Sequence, residues 1–252
     1  MEHKKFKLTT KYKLLKRKNA HKHVFIIEKN DLLVLDALMH DGSYQKYRHH
    51  SHLRYSEHGG LLDFDNKGLE RIIVTTRKET DPKDKEIFFP IVPDDVIDFE
   101  FMYHTHPPTP TPGARSKYGV VYEIPSMSDI KTFIDSYNEG LIQGSIIVAP
   151  EGFYVIRGLK NKLNKKEYKL DEMYNEIMYL NYKYAKKYNF KVSPEIFYKK
   201  IITDTTLPRK LNRLIKKHTN NEVTIDFFKR KKDSSGNWTI NKLVLIVKPL
   251  EN

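Results

Sequence analysis

Two histidines one residue apart, His104 and His106, close an apolar run in the segment FMYHTHPPTP at 101–110. In a β-strand, residues i and i+2 point to the same face, so both imidazoles can reach one metal ion. Zinc binds histidine nitrogen at roughly 2.0–2.1 Å, and a catalytic zinc needs a third protein ligand and an open position for water. The chain contains no cysteine, so any further ligand must be a histidine, an aspartate or a glutamate.

A candidate third ligand follows in the segment PSMSD at 125–129. Asp129 falls in the first turn of a predicted helix, and a helix start can aim a carboxylate back toward the end of a neighbouring strand. Ser126 precedes it by three residues and could hydrogen-bond to a group bound at the metal. The alternative is structural: Ser126 caps the helix and Asp129 reaches back to it, as in a capping box.

Two other His-x-His pairs occur in the chain, His21/His23 and His50/His52. A single pair of this kind is more often a surface or packing feature than a metal site. Neither pair is followed by a Ser-x-x-Asp segment, so we interpret both as ordinary exposed histidines. The combination of two segments, rather than the histidine pair alone, makes 104–129 a candidate metal site.

The combined pattern resembles that of the JAB/MPN metalloprotease family, whose active members are the JAMM isopeptidases. The family signature runs from a glutamate in a stretch close to Glu-x-x-Gly-Leu-Leu, through His-x-His-Pro, to Ser-x-x-Asp. The chain contains each part in this order: Glu57 in EHGGLL, then His104, His106 and Pro107, then Ser126 and Asp129. The resemblance covers roughly residues 21–160.

The resemblance implies a hydrolase with one Zn²⁺ per chain, held by His104, His106 and Asp129. Glu57 would act as the general base that accepts a proton from the attacking water. Ser126 would donate a hydrogen bond to the oxyanion that forms during the reaction. In this family the bond cut is usually an isopeptide between the C-terminus of a ubiquitin-like protein and a lysine amine. Ubiquitin or ubiquitin-like conjugates are therefore the expected substrates.

One departure from the family pattern is the connection between His106 and Ser126. Nineteen residues, 107–125, lie here, where the family usually has far fewer, and we interpret them as an inserted loop that borders the cleft and affects substrate choice. The alternative is that Asp129 lies too far away and the site is degenerate. A separate alternative is a catalytically silent, metal-free MPN-like scaffold whose tail binds a partner. Glu100 and Glu123 are poorer candidates for the base: Glu100 sits farther back along the strand, and Glu123 lies in this loop, where no rigid element is expected to fix it.

Composition limits the class of protein. The 252 residues are 39% hydrophobic, which is ample for a packed core and unlike a disordered chain. The longest aliphatic run, LVLIV at 243–247, is far shorter than the roughly 20 residues of a membrane span. The first thirty residues are too charged for a signal-peptide core. We therefore expect no membrane contact and an intracellular location, cytoplasmic or nuclear. Lysine, asparagine, isoleucine and tyrosine are abundant, as A/T-rich coding would give, and this is compatible with a viral protein that acts in the host cell.

The net charge of +13 favours polyanionic partners. Much of it lies in three lysine-rich segments, at 4–23, 159–170 and 228–232. Nucleic-acid binding through the basic ends is therefore an alternative function, although no recognisable nucleic-acid module is present. The simpler interpretation of the first segment is a solvated, lysine-rich terminus.

The elements that must position the site indicate an α/β (α+β) fold, with a JAB/MPN-like mixed sheet flanked by helices. Alternation and turn residues predict strands at 23–29, 59–65, 71–76, 86–92 and 98–106, and a hairpin over 144–158. Helices are predicted at 30–42, where Asn30 or Asp31 would cap and Gly42 would stop the helix, and at 125–140.

Beyond residue 160 the periodicity becomes helical. Helices are predicted at 165–189, 193–201 and 208–218, followed by two strands within 223–248 joined across 234–236. The predicted organisation is a basic arm at 1–20, a JAB/MPN-like metalloprotease domain at 21–160, and a mostly helical extension at 161–252 that ends in a β-hairpin.

Overall fold

The computed structural model of the protein describes residues 23–44, 46–49, 52–65, 68–76, 101–107, 122–187, 199–200 and 202–247. The predicted basic arm, the strand predicted at 86–92, Glu100 and residues 108–121 of the inserted loop lie outside the described residues. So do His21, His50 and most of the helix predicted at 193–201.

Twelve strands and four α-helices occur in the described part of the chain. The strands are β1 (His23–Glu28), β2 (Lys46–His49), β3 (His52–Tyr55), β4 (His58–Asp65), β5 (Gly68–Thr76), β6 (Phe101–Thr105), β7 (Gly144–Ala149), β8 (Gly152–Gly158), β9 (Val223–Lys229), β10 (Lys231–Lys232), β11 (Trp238–Thr239) and β12 (Lys242–Val247). The helices are α1 (Lys29–Tyr44), α2 (Met127–Asn138), α3 (Leu170–Lys187) and α4 (Thr206–His218), with a short 3₁₀ turn at Lys165–Glu167.

The central element is a six-stranded sheet in the order β5-β4-β6-β7-β8-β9. Strands β6 and β7 are parallel, and the other neighbouring pairs are antiparallel. The predicted fold class, a mixed sheet flanked by helices, is confirmed. Because parallel neighbours need a crossover connection, the chain leaves the end of β6, passes through α2 and returns to start β7. This crossover brings the start of α2 toward the carboxyl end of β6.

Each face of the sheet carries its own hydrophobic cluster, as strand alternation requires. On one face, Met102, Ile147 and Ile156 pack against apolar residues of α2, α3 and α4. On the other face, Tyr103 and Ile146 pack against α1 and the β1–β12 ribbon. No helix of the described part is long and apolar enough to cross a membrane.

The segment after residue 160 completes this same structure. Strand β9 pairs with β8 in the central sheet, and α3 and α4 share a core cluster with α2. The predicted terminal hairpin is wrong in its pairing, because β9 pairs with β8 and β12 pairs with β1. Only the short strands β10 and β11 pair across the predicted turn.

Two predicted helix ends also differ. Helix α3 begins at Leu170 rather than at residue 165, after a 3₁₀ turn. Gly42 does not stop α1, which continues to Tyr44. Instead, Gly42 is a point of close approach: a Cβ there would lie 2.2 Å from the carbonyl oxygen of Ser56. A glycine is needed at 42 because the chain before β4 presses against α1.

Candidate metal centre

The three predicted ligands come together at the carboxyl end of β6. His104 lies in β6, His106 directly follows this strand, and Asp129 lies in the first turn of α2. Their ligand atoms all lie within 4.8 Å of one another. His104 is buried and Asp129 is largely buried. The alternative that Asp129 lies too far from the histidines is therefore wrong.

The distances among the ligand atoms suit a tetrahedral metal. His104 Nε2 lies 3.0 Å from His106 Nε2 and 3.2 Å from Asp129 Oδ1, and His106 Nε2 lies 3.4 Å from Asp129 Oδ2. Two ligands that each lie about 2.0–2.1 Å from a tetrahedral zinc are about 3.4 Å apart. Two ring nitrogens and a carboxylate this close need a proton or a cation among them. The geometry therefore fits a bound metal ion.

The orientation of His106 is fixed by its other ring nitrogen. His106 Nδ1 lies 3.0 Å from the carbonyl oxygen of Glu123 and can donate a hydrogen bond to it. This bond leaves Nε2 free to bind a metal, as in many metal sites with histidine ligands. The backbone of His106 is fixed as well, since its N–H donates to the carbonyl oxygen of Val148 in β7.

The last residues of the inserted loop, 122–125, help to hold His106 in place. Tyr122 and Ile124 are buried on either side of Glu123, and the Tyr122 hydroxyl donates to the carbonyl oxygen of Asp204. As expected, no helix or strand covers residue 123, but these contacts hold its backbone in place. No feature of the sequence distinguishes these residues from the remainder of the loop.

Asp129 is held by the cap of α2. The Ser126 N–H donates to Asp129 Oδ2 at 2.5 Å, and the Asp129 N–H donates to Ser126 Oγ at 3.2 Å. The structural interpretation of this segment, a capping box, is thus confirmed. It also serves the metal centre, because the cap fixes the carboxylate while its two oxygens face the two histidines. The exposed Ser126 hydroxyl accepts in the cap and keeps its own proton to donate.

Glu57 lies immediately before β4, on the sheet face that carries the ligands. The antiparallel pairing of β4 with β6 sets Gly59 opposite His104. The same register continued by two residues puts Glu57 opposite His106, and directly opposed residues share a face. The side chain is half-buried, and its charge acts on His106. Glu57 is therefore next to the candidate ligands without being one of them.

Charge around the ligands favours a cation. Burial acts to lower the pKa of His106, but the hydrogen bond and charge of Asp129, with the charges of Glu57 and Glu123, raise it to about 10. Burial acts to raise the pKa of Asp129, yet the charge of His104 and the contacts with both histidines hold it well below its usual range. A proton or metal cation at this point is stabilised by the carboxylates around it.

Thr105 connects β6, which carries His104, to the start of β4, next to Glu57. Its side chain points away from the histidines, and its Oγ1 accepts the backbone N–H of His58 at 2.9 Å. His58 is buried, and its Nε2 lies 2.9 Å from Asp41 Oδ2. This side-chain bond extends the β4–β6 ladder where the backbone pairing ends. Sequence reasoning missed it, although alternation does place Thr105 on the opposite face.

We expect Thr105→Val to remove the hydrogen bond between Thr105 and His58 and to lower the stability of the protein. The substitution preserves the shape of the side chain but leaves the buried His58 N–H without an acceptor, which costs about 1–3 kcal/mol of unfolding free energy. Thr105→Ser, which retains the acceptor, is the matched control and is expected to lose less. Urea denaturation of both variants measures the difference, and equal stability of Val and Ser variants would contradict the role of this bond.

Glu151, at the turn between β7 and β8, is a further carboxyl group that the sequence did not indicate. It is fully buried; the Tyr154 hydroxyl donates to its Oε1 at 2.8 Å, and its Oε2 has no partner in the described part of the structure. Burial, reinforced by the charge of Glu123, raises the pKa of Glu151 from 4.5 to about 7.

Glu151 should make folding depend on pH. The folded state retains a proton that the unfolded state releases between pH 4.5 and about 7, so this contribution to stability is present below pH 4.5 and is lost as the pH rises through 7. At about 1.4 kcal/mol per pKa unit the loss is about 3 kcal/mol. A glutamine at 151 stays neutral and keeps the bond from Tyr154. Urea denaturation of Glu151→Gln at pH 4.5 and at pH 7 should therefore show a smaller decrease in unfolding free energy than in the wild type. An unchanged pH dependence would contradict this assignment.

The described fold and site together define an α+β protein with a candidate metal centre of two histidines and one aspartate. No family model matches the chain, and no solved structure matches it. It is similar to an uncharacterised protein of Acanthamoeba polyphaga mimivirus, with 33% identity over 231 residues. The match covers 86% of this chain and 63% of the viral protein's length.

Proposed function

We propose that this protein is a zinc-dependent isopeptidase or peptidase of JAMM type that acts on ubiquitin or ubiquitin-like conjugates. The observation that carries the proposal is the arrangement of His104, His106 and Asp129 at tetrahedral spacing. The position of Glu57 beside His106 supports it. The similarity to a mimivirus protein is compatible with action inside an infected cell, in its cytoplasm or nucleus.

Zinc suits both the donor set and the adjacent base. His104, His106 and Asp129 would hold the ion, which supplies a Lewis acid and lowers the pKa of water toward neutrality. The same donors also suit iron(II). The carboxylate of Glu57 favours a hydrolytic site over a purely structural one, because hydrolysis requires a nearby group that can accept a proton. Zinc is the metal that the resemblance to the JAMM family implies.

The chain's own groups have separate tasks in this proposal. Glu57 accepts a proton from the attacking water and returns it to the leaving amine. Ser126 donates its free hydroxyl proton toward the oxyanion of the tetrahedral intermediate. Asp129 is held in place by the capping box, so the ligands need little rearrangement to bind the metal.

Cleavage by the zinc-loaded full chain tests the proposal. Three substrates are compared: lysine-linked diubiquitin, a linear ubiquitin fusion and an unrelated peptide, with the cut bond identified by mass spectrometry. We expect cleavage at the isopeptide bond. Cleavage of the linear peptide alone would retain a peptidase but overturn the substrate class. No cleavage of any substrate by fully loaded protein would favour the alternative of a catalytically silent MPN-like scaffold.

A further inference from the structure

Helices α3 and α4 enclose a groove on the side of the molecule formed by the C-terminal part of the chain. They run antiparallel, since Glu176 of α3 contacts Lys217 near the end of α4, while Lys187 contacts Asp204 just before α4. The groove has a volume of about 310 Å³. Tyr179 and Leu180 line one side, and Lys210, Arg213 and Lys217 line the other.

Exposed aromatic side chains are concentrated on α3, and one of them, Tyr179, lines this groove. The described residues include ten exposed large hydrophobic side chains, and four of these lie on α3: Tyr174, Met178, Tyr179 and Tyr182. Tyr179, on the groove, is 67% exposed, and Tyr182, one turn farther along the helix, is 53% exposed. Lys183 follows Tyr179 by four residues and is therefore its neighbour along the helix, whereas Tyr182 points away from the groove. The groove itself combines one exposed ring, Tyr179, with the cations of α4.

The net charge of the residues that line the groove is positive, because three cations and one carboxylate lie there. Helix α4 contains five lysines and arginines and no acidic residue. The acidic residue that lines the groove, Glu176, is already engaged, since Lys217 Nζ lies 2.6 Å from its carboxylate and His218 lies 3.1 Å from it. Lys210 lies over the Tyr184 ring, and Arg213 forms no ion pair within the described residues. Both cations can reach a ligand in the groove.

We propose that this surface binds single-stranded nucleic acid. The cations of α4 contact the phosphates, and the exposed ring of Tyr179, which lines the groove, stacks on an unpaired base, which presents a flat face whatever the sequence. A duplex cannot use this ring because its bases are already stacked. An acidic peptide would satisfy the cations but has no flat ring to match Tyr179. The proposal differs from binding through the basic ends, and it does not depend on the metal centre.

The contribution of the groove cations to binding is tested by fluorescence anisotropy, which measures the affinity of the full chain for a labelled short oligothymidylate. Lys210→Ala/Arg213→Ala is compared with Lys231→Ala/Lys232→Ala, which removes the same charge from the exposed strand β10 outside the groove. We expect weaker binding from the first pair only, with the slope of log affinity against log salt reduced by about 0.7 for each phosphate that the variant no longer neutralises. Equal effects of the two pairs would show that net charge alone drives binding and would overturn the proposal.

A second experiment tests whether the ring of Tyr179 stacks on a base. Tyr179→Ala should weaken oligothymidylate binding about five- to 150-fold, as expected when the ring under a stacked base is removed, whereas Tyr179→Phe keeps the ring and should retain affinity. Tyr44→Ala, which removes a more exposed tyrosine on α1, is the matched control and should have no effect. An Ala variant at 179 that binds like the wild type would overturn stacking. Polyglutamate that competes as well as the oligonucleotide would show an acidic protein partner instead.

Discussion

Glu57→Gln is expected to abolish turnover while zinc stays bound. Glutamine keeps the shape and hydrogen-bonding capacity of the side chain but cannot accept the proton. Loss of a general base commonly lowers the rate by about 10²–10⁴-fold. Because Glu57 lies beside the ligands and is not part of the cluster that they form, its substitution should leave metal binding intact. Isopeptide cleavage rates and zinc content, measured on the same preparation, test both statements.

Glu123→Gln is the matched control for this experiment. The charges of Glu123 and Glu57 both raise the pKa of His106. Removing either charge should therefore lower this pKa. Its backbone carbonyl, which accepts from His106, is unchanged by the substitution. We expect the Glu123 variant to retain most activity. If it loses as much activity as the Glu57 variant, or if the Glu57 variant stays active, the base is wrongly assigned.

Arg230→Met is expected to cause a large loss of stability. The buried Arg230 guanidinium makes two 2.6 Å bonds to the carboxylate of Asp36 in α1. It also donates to the carbonyl oxygens of Ala149 and Pro150 at the end of β7. Removing the cation leaves the Asp36 carboxylate buried and unpaired, which typically costs about 3–5 kcal/mol. Urea denaturation of the single variant measures this cost.

A second variant separates the unpaired charge from the loss of packing. In Asp36→Leu/Arg230→Met both charged partners are replaced by apolar groups, and such replacements are often close to neutral. We expect the double variant to recover a large part of the stability, although two backbone carbonyls still lack their donor. A single variant as stable as the wild type, or a double variant less stable than the single, would contradict this account of the buried pair.

The sequence predicted the ligand positions because each depends on local geometry. Alternation along a strand puts His104 and His106 on one face, and the first turn of a helix limits where Asp129 can point. The early glutamate was found by resemblance to a family pattern. Its position beside His106 follows from the register of β4 with β6, which no local pattern specifies.

Pairings between distant segments could not be predicted in the same way. An isolated pair of strands such as 223–229 and 242–247 reads as a hairpin, but each of the two pairs along its length with a strand far away in the sequence. Asp36 and Arg230 are separated by 194 residues, and each alone resembles a surface charge. The burial of Glu151 likewise depends on the strands around it, since a turn residue is usually exposed.

The zinc content of the purified full chain tests the metal centre most directly. The wild type is measured beside His104→Ala, His106→Ala and Asp129→Ala, and beside His218→Ala, a buried histidine outside the cluster, as the matched control. From the proposed function we expect close to one zinc per chain in the wild type and the control, with loss or severe weakening in each ligand variant. A wild type that binds no zinc, or zinc that survives all three ligand substitutions, would contradict it.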